Sequence, residues 1–374
     1  MSAISAVLHR SILPQSVRSR TNSTRLLSTS LNPQLQADLQ PAKYDASGRY
    51  PVTATGPGFL DLFKWMLTRK PEDGPRLPSD PAELDRTLPV VAPDLFTPIP
   101  ADKARISWLG HASVLLQVPI STDRTFNLLT DPVFTERCSP SKWFGPARFR
   151  PAPATMEDLP PIDVVLISHN HYDHLETVSL RKLHEVQPDI RYFTPLGNAK
   201  WLVEAGIPRD NIVEQNWWDS SPVHEGLFQV NCVPAKHWSK RGFFDRNVDL
   251  WGGFVVQGAG GSFYFAGDTA IGTIFKAISH KFGAQSVSAI PIGAYAPRRL
   301  FQGQHCNVEE AIQIHRDVQS CASVGIHWGT WVLTGEYYLE PKEELERLMA
   351  KEASPDAFTT LDHGAHKFVQ WKLD

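Results

Sequence analysis

The chain has 374 residues, enough for one large domain with extensions, and 42% hydrophobic against 21% charged residues is the balance of a folded soluble protein. A formal net charge of −3 supplies no bulk attraction to nucleic acid, so nucleic-acid binding is not expected. No apolar run of about 18 residues occurs, which argues against a transmembrane helix. Cys138, Cys232, Cys306 and Cys321 are scattered without a C-x-x-C pair and read as free thiols.

In chain order, residues 1–37 contain no Asp or Glu, four Arg (Arg10, Arg18, Arg20, Arg25) and many Ser and Thr. That composition describes a mitochondrial transit peptide over residues 1–35, with a processing signal at Arg25-Leu26-Leu27-Ser28-Thr29. The plainer reading is a disordered tail. Import would place the mature protein in the matrix or on the matrix face of the inner membrane, peripheral rather than spanning.

Residues 36–100 are rich in Pro and polar residues without a sustained period, which predicts an extended arm wrapped on the rest. One stretch differs. Residues 59–70 set Phe59, Leu62, Phe63 and Met66 on one helical face, with Lys64, Arg69 and Lys70 adding positive charge. Such a helix either lies at a bilayer interface with Trp65 at headgroup depth, or docks on the protein core.

Residues 101–374 alternate strands and helices. Strands are predicted at 106–108, 114–118, 126–130, 164–167, 191–194, 212–215, 230–233, 254–256, 263–266, 287–291 and 323–326. Helices are predicted at 175–184, 198–205, 273–280, 308–316 and 343–350.

The chemistry concentrates where these strands end. Ser168-His169-Asn170-His171-Tyr172-Asp173-His174 follows an apolar run and delivers three histidines and an aspartate to one strand end. Imidazole and carboxylate are ligands for zinc and related divalent ions. His237, Asp268 and His327 each follow another apolar run. Together they complete a two-ion set. His169, His171 and His237 would hold one ion, and Asp173, His174 and His327 the other. Asp268 would bridge them, because a carboxylate offers two oxygens, and a hydroxide on the bridge would be the nucleophile. Asp131 precedes a proline. Either it caps the turn, or it accepts the free N–H of a ligand imidazole. His111 does likewise or simply packs.

The ordered series H-x-H-x-D-H, His, Gly-Asp, His resembles the metallo-β-lactamase superfamily. Further segments resemble one branch of it, the N-acyl-phosphatidylethanolamine-hydrolysing phospholipases D. They are Ile106-Ser107-Trp108-Leu109-Gly110-His111-Ala112-Ser113, Leu129-Thr130-Asp131-Pro132-Val133-Phe134, Pro291-Ile292-Gly293-Ala294-Tyr295, Gln304-His305 and His327-Trp328-Gly329-Thr330. The resemblance implies an α/β fold, the αββα sandwich, with two Zn2+ per chain at one edge. It implies attack on phosphorus that releases N-acylethanolamine and leaves phosphatidic acid, a phospholipid partner with peripheral membrane contact, and a homodimer.

On that reading Asp268, Asp173 and His305 are candidate catalytic residues, Gln304 and His305 candidate substrate contacts, and His111 and Asp131 supports behind the ligands. His305 would contact a phosphoryl oxygen or protonate the leaving group. His363 and His366 are weaker candidates. Trp143, Phe144, Trp217, Trp218, Phe243, Phe244 and Trp331 sit in loops that resemble those framing the site. The alternatives are another hydrolase of the superfamily acting on a soluble phosphodiester or a lactone, and a lipid-binding protein with an inert metal site. Iron or manganese would fit the same ligands.

Overall fold

The computed structural model describes residues 32–51, 59–68, 77–141 and 143–372. Residues 1–31 of the leader expected over 1–35, and Arg69 and Lys70, lie outside the described residues.

The arm carries α1 (Pro33–Asp38), α2 (Phe59–Thr68) and α3 (Pro81–Thr87). Composition predicts α2 alone; α1 and α3 are additions. Each starts on a proline, and Asn32 or Asp80 accepts a hydrogen bond from the backbone N–H two residues on. Proline lacks an N–H that has no helical partner at that position, so here it starts a helix instead of forbidding one. Between these helices the arm is fastened to the domain. Ala42 exchanges two 3.0 Å hydrogen bonds with the Asn216 side chain. Tyr50 donates from its backbone N–H to the Asn247 carbonyl, while its ring stacks on Tyr44 and meets Trp251 edge-on.

Beyond the arm come β1 (Lys103–Trp108), β2 (Val114–Pro119), β3 (Thr125–Thr130), β4 (Val164–Leu166), α4 (Thr177–Val186), β5 (Arg191–Pro195), α5 (Ala199–Glu204) and β6 (Ile212–Gln215). There follow β7 (Ser220–Val223), β8 (Phe228–Val233), β9 (Gly253–Gly258), β10 (Gly261–Phe265), α6 (Ile274–Phe282) and β11 (Val287–Pro291). The chain closes with α7 (Arg298–Phe301), α8 (Val308–Asp317), β12 (Ser323–Ile326), α9 (Glu340–Met349), β13 (Phe358–Thr359) and β14 (His366–Gln370).

The strands form two seven-stranded sheets, ordered β14-β1-β2-β3-β4-β5-β6 and β13-β12-β11-β10-β9-β8-β7. Each sheet is half antiparallel and half parallel. β14 to β3 form an antiparallel run, and β3 to β6 a parallel one. The second sheet repeats this, with β7 to β10 antiparallel and β10 to β13 parallel. Trp108, Phe126, Phe228, Phe254, Phe263 and Phe265 are fully buried in one core cluster fed by both sheets, each contributing about 1.5–3 kcal/mol of burial. A second core lies on the other face of the first sheet, where Leu180, Leu183 and Leu202 of α4 and α5 cover Leu115, Leu129 and Val165. The parallel strands β4 and β11 are buried along their whole length, as strands covered on both faces must be.

Trp65 of α2 is buried against Leu300 and Phe301, its ring 6.0 Å from that of Phe301. Of the two roles open to this helix, docking is what Trp65 performs; it does not stand free for a headgroup layer. Leu67 and Lys64 remain exposed.

Candidate metal centre

One edge of the sandwich collects the loops that leave β1, β4, β8, β10 and β12, and these carry His111, His169 to His174, His237, Asp268 and His327. The backbone there is forced into unusual conformations. Gly267, just before Asp268, has φ +59°, and a Cβ at that position would lie 2.8 Å from Ser168 Cβ and 3.0 Å from the Gly252 carbonyl. The Gly-Asp pair is thus a steric requirement: the aspartate is delivered by a turn that has no room for a side chain. Gly267→Ala is expected to destabilise the protein by about 1–3 kcal/mol. An unchanged denaturant midpoint would show that the turn relaxes freely. His111 and His327 also adopt positive φ, 50° and 63°, conformations costing on the order of 1–3 kcal/mol each that persist at functional sites.

Among the described residues the side chains fall into two main touching groups, and Asp268, His305 and His327 form a third that overlaps them. His169, His171, His237 and Asp268 place one ligand atom each within 4.8 Å of one another, and so do His111, Asp173, His174 and His327. In the first, His171 Nδ1 lies 2.8 Å from His169 Nε2 and 3.2 Å from His237 Nε2. In the second, Asp173 Oδ2 is 3.5 Å from both His174 Nε2 and His327 Nε2. Asp268 lies between the groups. Its Oδ1 is 3.0 Å from His327 Nε2, and its Oδ2 is 3.3 Å from His174 Nε2, 3.6 Å from His237 Nε2 and 3.9 Å from His169 Nε2.

His111 is placed otherwise than behind the ligands. Its Nε2 is 3.0 Å from Asp173 Oδ2, inside the second group. Its signal in the sequence was the same as that of the others, a histidine just past the end of an apolar strand.

The donor set fits divalent cations. His171 Nε2, His305 Nδ1 and His327 Nδ1 are buried without a hydrogen-bond partner. Orphaned polar atoms are expensive to bury, and a cation among them removes that cost. Burial lowers His111 and His171 to about 3 and His237 to about 4. His327 goes the other way. Burial opposes its charge, but Asp268 and Asp173 outweigh burial and raise it to about 9. Asp268, Asp173 and Asp131 likewise hold His174 well above the ordinary value against burial. Burial pushes Asp268 up, yet His174 and His327 keep it well below the carboxylate range.

Behind the ligands, Asp131 accepts from three groups. Its Oδ2 is 2.6 Å from His174 Nδ1 and 2.6 Å from Ser168 Oγ, and its Oδ1 accepts from Ser168 N at 2.8 Å. The proton of His174 is thereby kept on Nδ1, leaving Nε2 toward the centre. His237 Nδ1 lies 3.0 Å from the Gln304 carbonyl, while the Gln304 side chain accepts from Trp238 Nε1. Asn170, between two ligand histidines, donates to the buried Asp249, which also accepts from Lys200 and Trp201. Sequence reasoning missed Asp249, since nothing local marks it.

The centre floors an open cleft of about 410 Å3. His171, Asp173, Asp268 and His327 form its base; Pro146, Ala294, Phe301 and Leu333 give apolar wall, and Lys240, Arg246, Gln304 and His305 polar wall. His305 Nδ1 is 3.8 Å from Asp268 Oδ2. His363 stands outside both groups, tilted on Trp108 at 4.2 Å and 3.2 Å from Thr330 Oγ1. His366 lies on β14, paired with Ser107. Of the aromatic residues expected to frame the site, Trp331 packs behind His111, and Trp217 and Trp218 pack against Trp251 and Phe282. Trp238 and Phe301 line the cleft instead.

Fold and centre together define a hydrolase of the metallo-β-lactamase type, and the description "Beta-lactamase superfamily domain" matches residues 126–328. Igni18, a metallo hydrolase of Ignicoccus hospitalis, aligns with a TM-score of 0.53 at 17% identity over 72% of this chain and 100% of its own. An isothiocyanate hydrolase from Delia radicum gut bacteria aligns at 0.55 and 16% over 71% and 99%. These two share the fold. Sequence relatives are nearer. The "N-acyl-phosphatidylethanolamine-hydrolyzing phospholipase D 1" of Caenorhabditis elegans is 41% identical over 82% of this chain and 87% of its own. A Saccharomyces cerevisiae protein of the same name, styled mitochondrial, is 33% identical over 77% and 63%. The chain belongs to the family of N-acyl-phosphatidylethanolamine-hydrolysing phospholipases D.

Proposed function

We propose that this chain hydrolyses N-acyl-phosphatidylethanolamine, breaking the bond from phosphorus to the N-acylethanolamine oxygen and leaving phosphatidic acid. The observation that carries the reading is Asp268, one buried carboxylate within 4 Å of imidazoles from both ligand groups, at the base of a cleft with one apolar and one basic wall. His169, His171 and His237 would hold one zinc ion, Asp173, His174 and His327 a second, with Asp268 shared and His111 beside Asp173. Bound there, zinc lowers the pKa of a water and neutralises charge developing on phosphate.

The chain's own residues do the rest. Lys240 and Arg246 supply positive charge to the wall that a phosphodiester would face. Phe301, Leu333 and Ala294 give acyl carbons a surface and keep water from it. His305, held uncharged at neutral pH by burial, has one N–H to offer a phosphoryl or leaving oxygen. The expected mitochondrial address rests on the acid-free leader and the printed name of the yeast relative; N-terminal sequencing beginning at Met1 or Ser2 of the native protein would oppose it.

The test is metal content of the purified full chain beside release of N-acylethanolamine from vesicles containing N-acylated phosphatidylethanolamine. About two ions per chain, with release lost on chelation, is the expected result. Two ions without release would discard the substrate and point to a soluble phosphodiester or a lactone. Loading also has a proton signature. Without metal, His327 at about 9 is protonated at neutral pH, and His174 with it. Ligands bind deprotonated. Zinc uptake at pH 7 is therefore expected to expel protons, with affinity falling as pH is lowered. Calorimetry in buffers of different ionisation enthalpy would show no buffer dependence if that is wrong.

A further inference from the structure

Two loops stand at the mouth of the cleft with aromatic tips turned into solvent. Trp143 and Phe144 are 82% and 77% exposed, and Phe243 and Phe244 92% and 89%. Exposed side chains of this size are costly in water, and four of them on two loops form an apolar feature that needs a partner. The root of each loop lines the cleft: Cys138 and Pro146 on one side, Trp238, Lys240 and Arg246 on the other. The aromatic tips themselves are not part of the lining.

The two loops are built to hold that posture. In the first, the Ser141 hydroxyl accepts from the N–H groups of Trp143 and Phe144. The Ser139 hydroxyl donates to the Phe144 carbonyl at 2.6 Å, and Arg137 donates to the Gly145 carbonyl. Gly145 has φ +102°, with no room for a Cβ against Ser139. In the second, the Asp245 carboxylate accepts from the N–H groups of Arg241 and Gly242. Arg49, reaching over from the arm, donates to the carbonyls of Phe244 and Arg246. Much of the polar backbone at both tips is thus already satisfied within the protein, which is the condition for entering an apolar medium.

Charge selects the medium. Although the chain is acidic overall, Arg137 stands at the root of the first loop and the exposed Lys240 with Arg246 at the root of the second, against Glu136 and Asp245, while Arg148 and Arg241 turn inward onto backbone carbonyls. Aromatic tips above a basic collar match a bilayer with anionic headgroups. No described helix is long and apolar enough to cross a membrane. Trp65 also anchors α2, which carries the exposed Lys64 and Leu67, to Phe301, a wall residue of the cleft.

We propose that the Trp143-Phe144 and Phe243-Phe244 tips insert into the surface of an anionic phospholipid bilayer and seat the cleft on it. The proposal deepens the phospholipid reading of the site and rests on it, but its test needs no turnover. The full chain would be co-sedimented with phosphatidylcholine–phosphatidylglycerol vesicles. Phe243→Ser with Phe244→Ser, and Trp143→Ser with Phe144→Ser, are each expected to weaken binding roughly tenfold or more. Metal content and thermal midpoint should stay unchanged. Undiminished binding with all four substitutions would overturn the proposal, as would a parental chain that binds no vesicles. A loss of dimer mass on gel filtration with vesicle binding intact would overturn it too, since the tips would then face a second copy. Tip-dependent binding together with failure to hydrolyse the N-acylated lipid would uphold the docking surface and reject the substrate.

Discussion

Asp268→Asn is expected to lower turnover by about a thousandfold or more while leaving the fold in place. The carboxylate is 3% exposed and lies within 4 Å of His169, His174, His237 and His327. Asparagine keeps the volume but removes the charge that both ligand groups share. It also directs an amide donor where an acceptor is needed. A secondary effect checks the same geometry. Asp268 is the chief cause raising His327 and His174, so in the metal-free variant both imidazoles should titrate lower, as NMR of the histidine ring protons would show. Near-parental hydrolysis by a variant that still holds its metal would remove Asp268 from the centre of the chemistry.

The second large effect is expected at Asp131, which lies outside both ligand groups. Asp131→Ala deletes the acceptor for His174 Nδ1, Ser168 Oγ and Ser168 N. It leaves the buried Ser168 N–H without an acceptor and His174 Nδ1 with only the Ser168 hydroxyl at 3.4 Å, which is shared with His169 Nδ1 at 2.9 Å. Breaking a buried charged pair by removing one member costs about 3–5 kcal/mol. Losing the partner that orients a ligand histidine costs about 10–100-fold in metal affinity or activity. Both consequences are measurable, one as a denaturant midpoint of the metal-free protein, the other by competition with a chelator. If neither moves, Asp131 is only a turn residue.

How much of this could be read in the sequence follows from where each signal originates. The central parallel strands were legible because strands covered on both faces must be continuous apolar runs. The edge strand β7, Ser-Ser-Pro-Val, has no such requirement and left no trace. The short helices α1 and α3 were missed because their prolines read as breakers, although at a helix start they are permissive. The direction of Trp65 was undetermined for a different reason: an apolar helix face is the same whether protein or lipid covers it. For His111, sequence gave the residue but not its neighbour. Its 3.0 Å approach to Asp173 depends on the chain turning back between β1 and β2 and on its carbonyl accepting from His327 N.

The family and the αββα fold were carried by local sequence, because strands buried on both faces force apolar runs and the polar residues that follow those runs stand in a fixed order. Tertiary structure alone decided that Asp268 reaches both ligand groups and that Asp249, far along the chain, braces Asn170. It also decided that, of the aromatic residues in the loops, Trp331 goes into the core while Phe243 and Phe244 face out. Those outcomes depend on which strand ends meet in space, and no segment of the chain encodes that by itself.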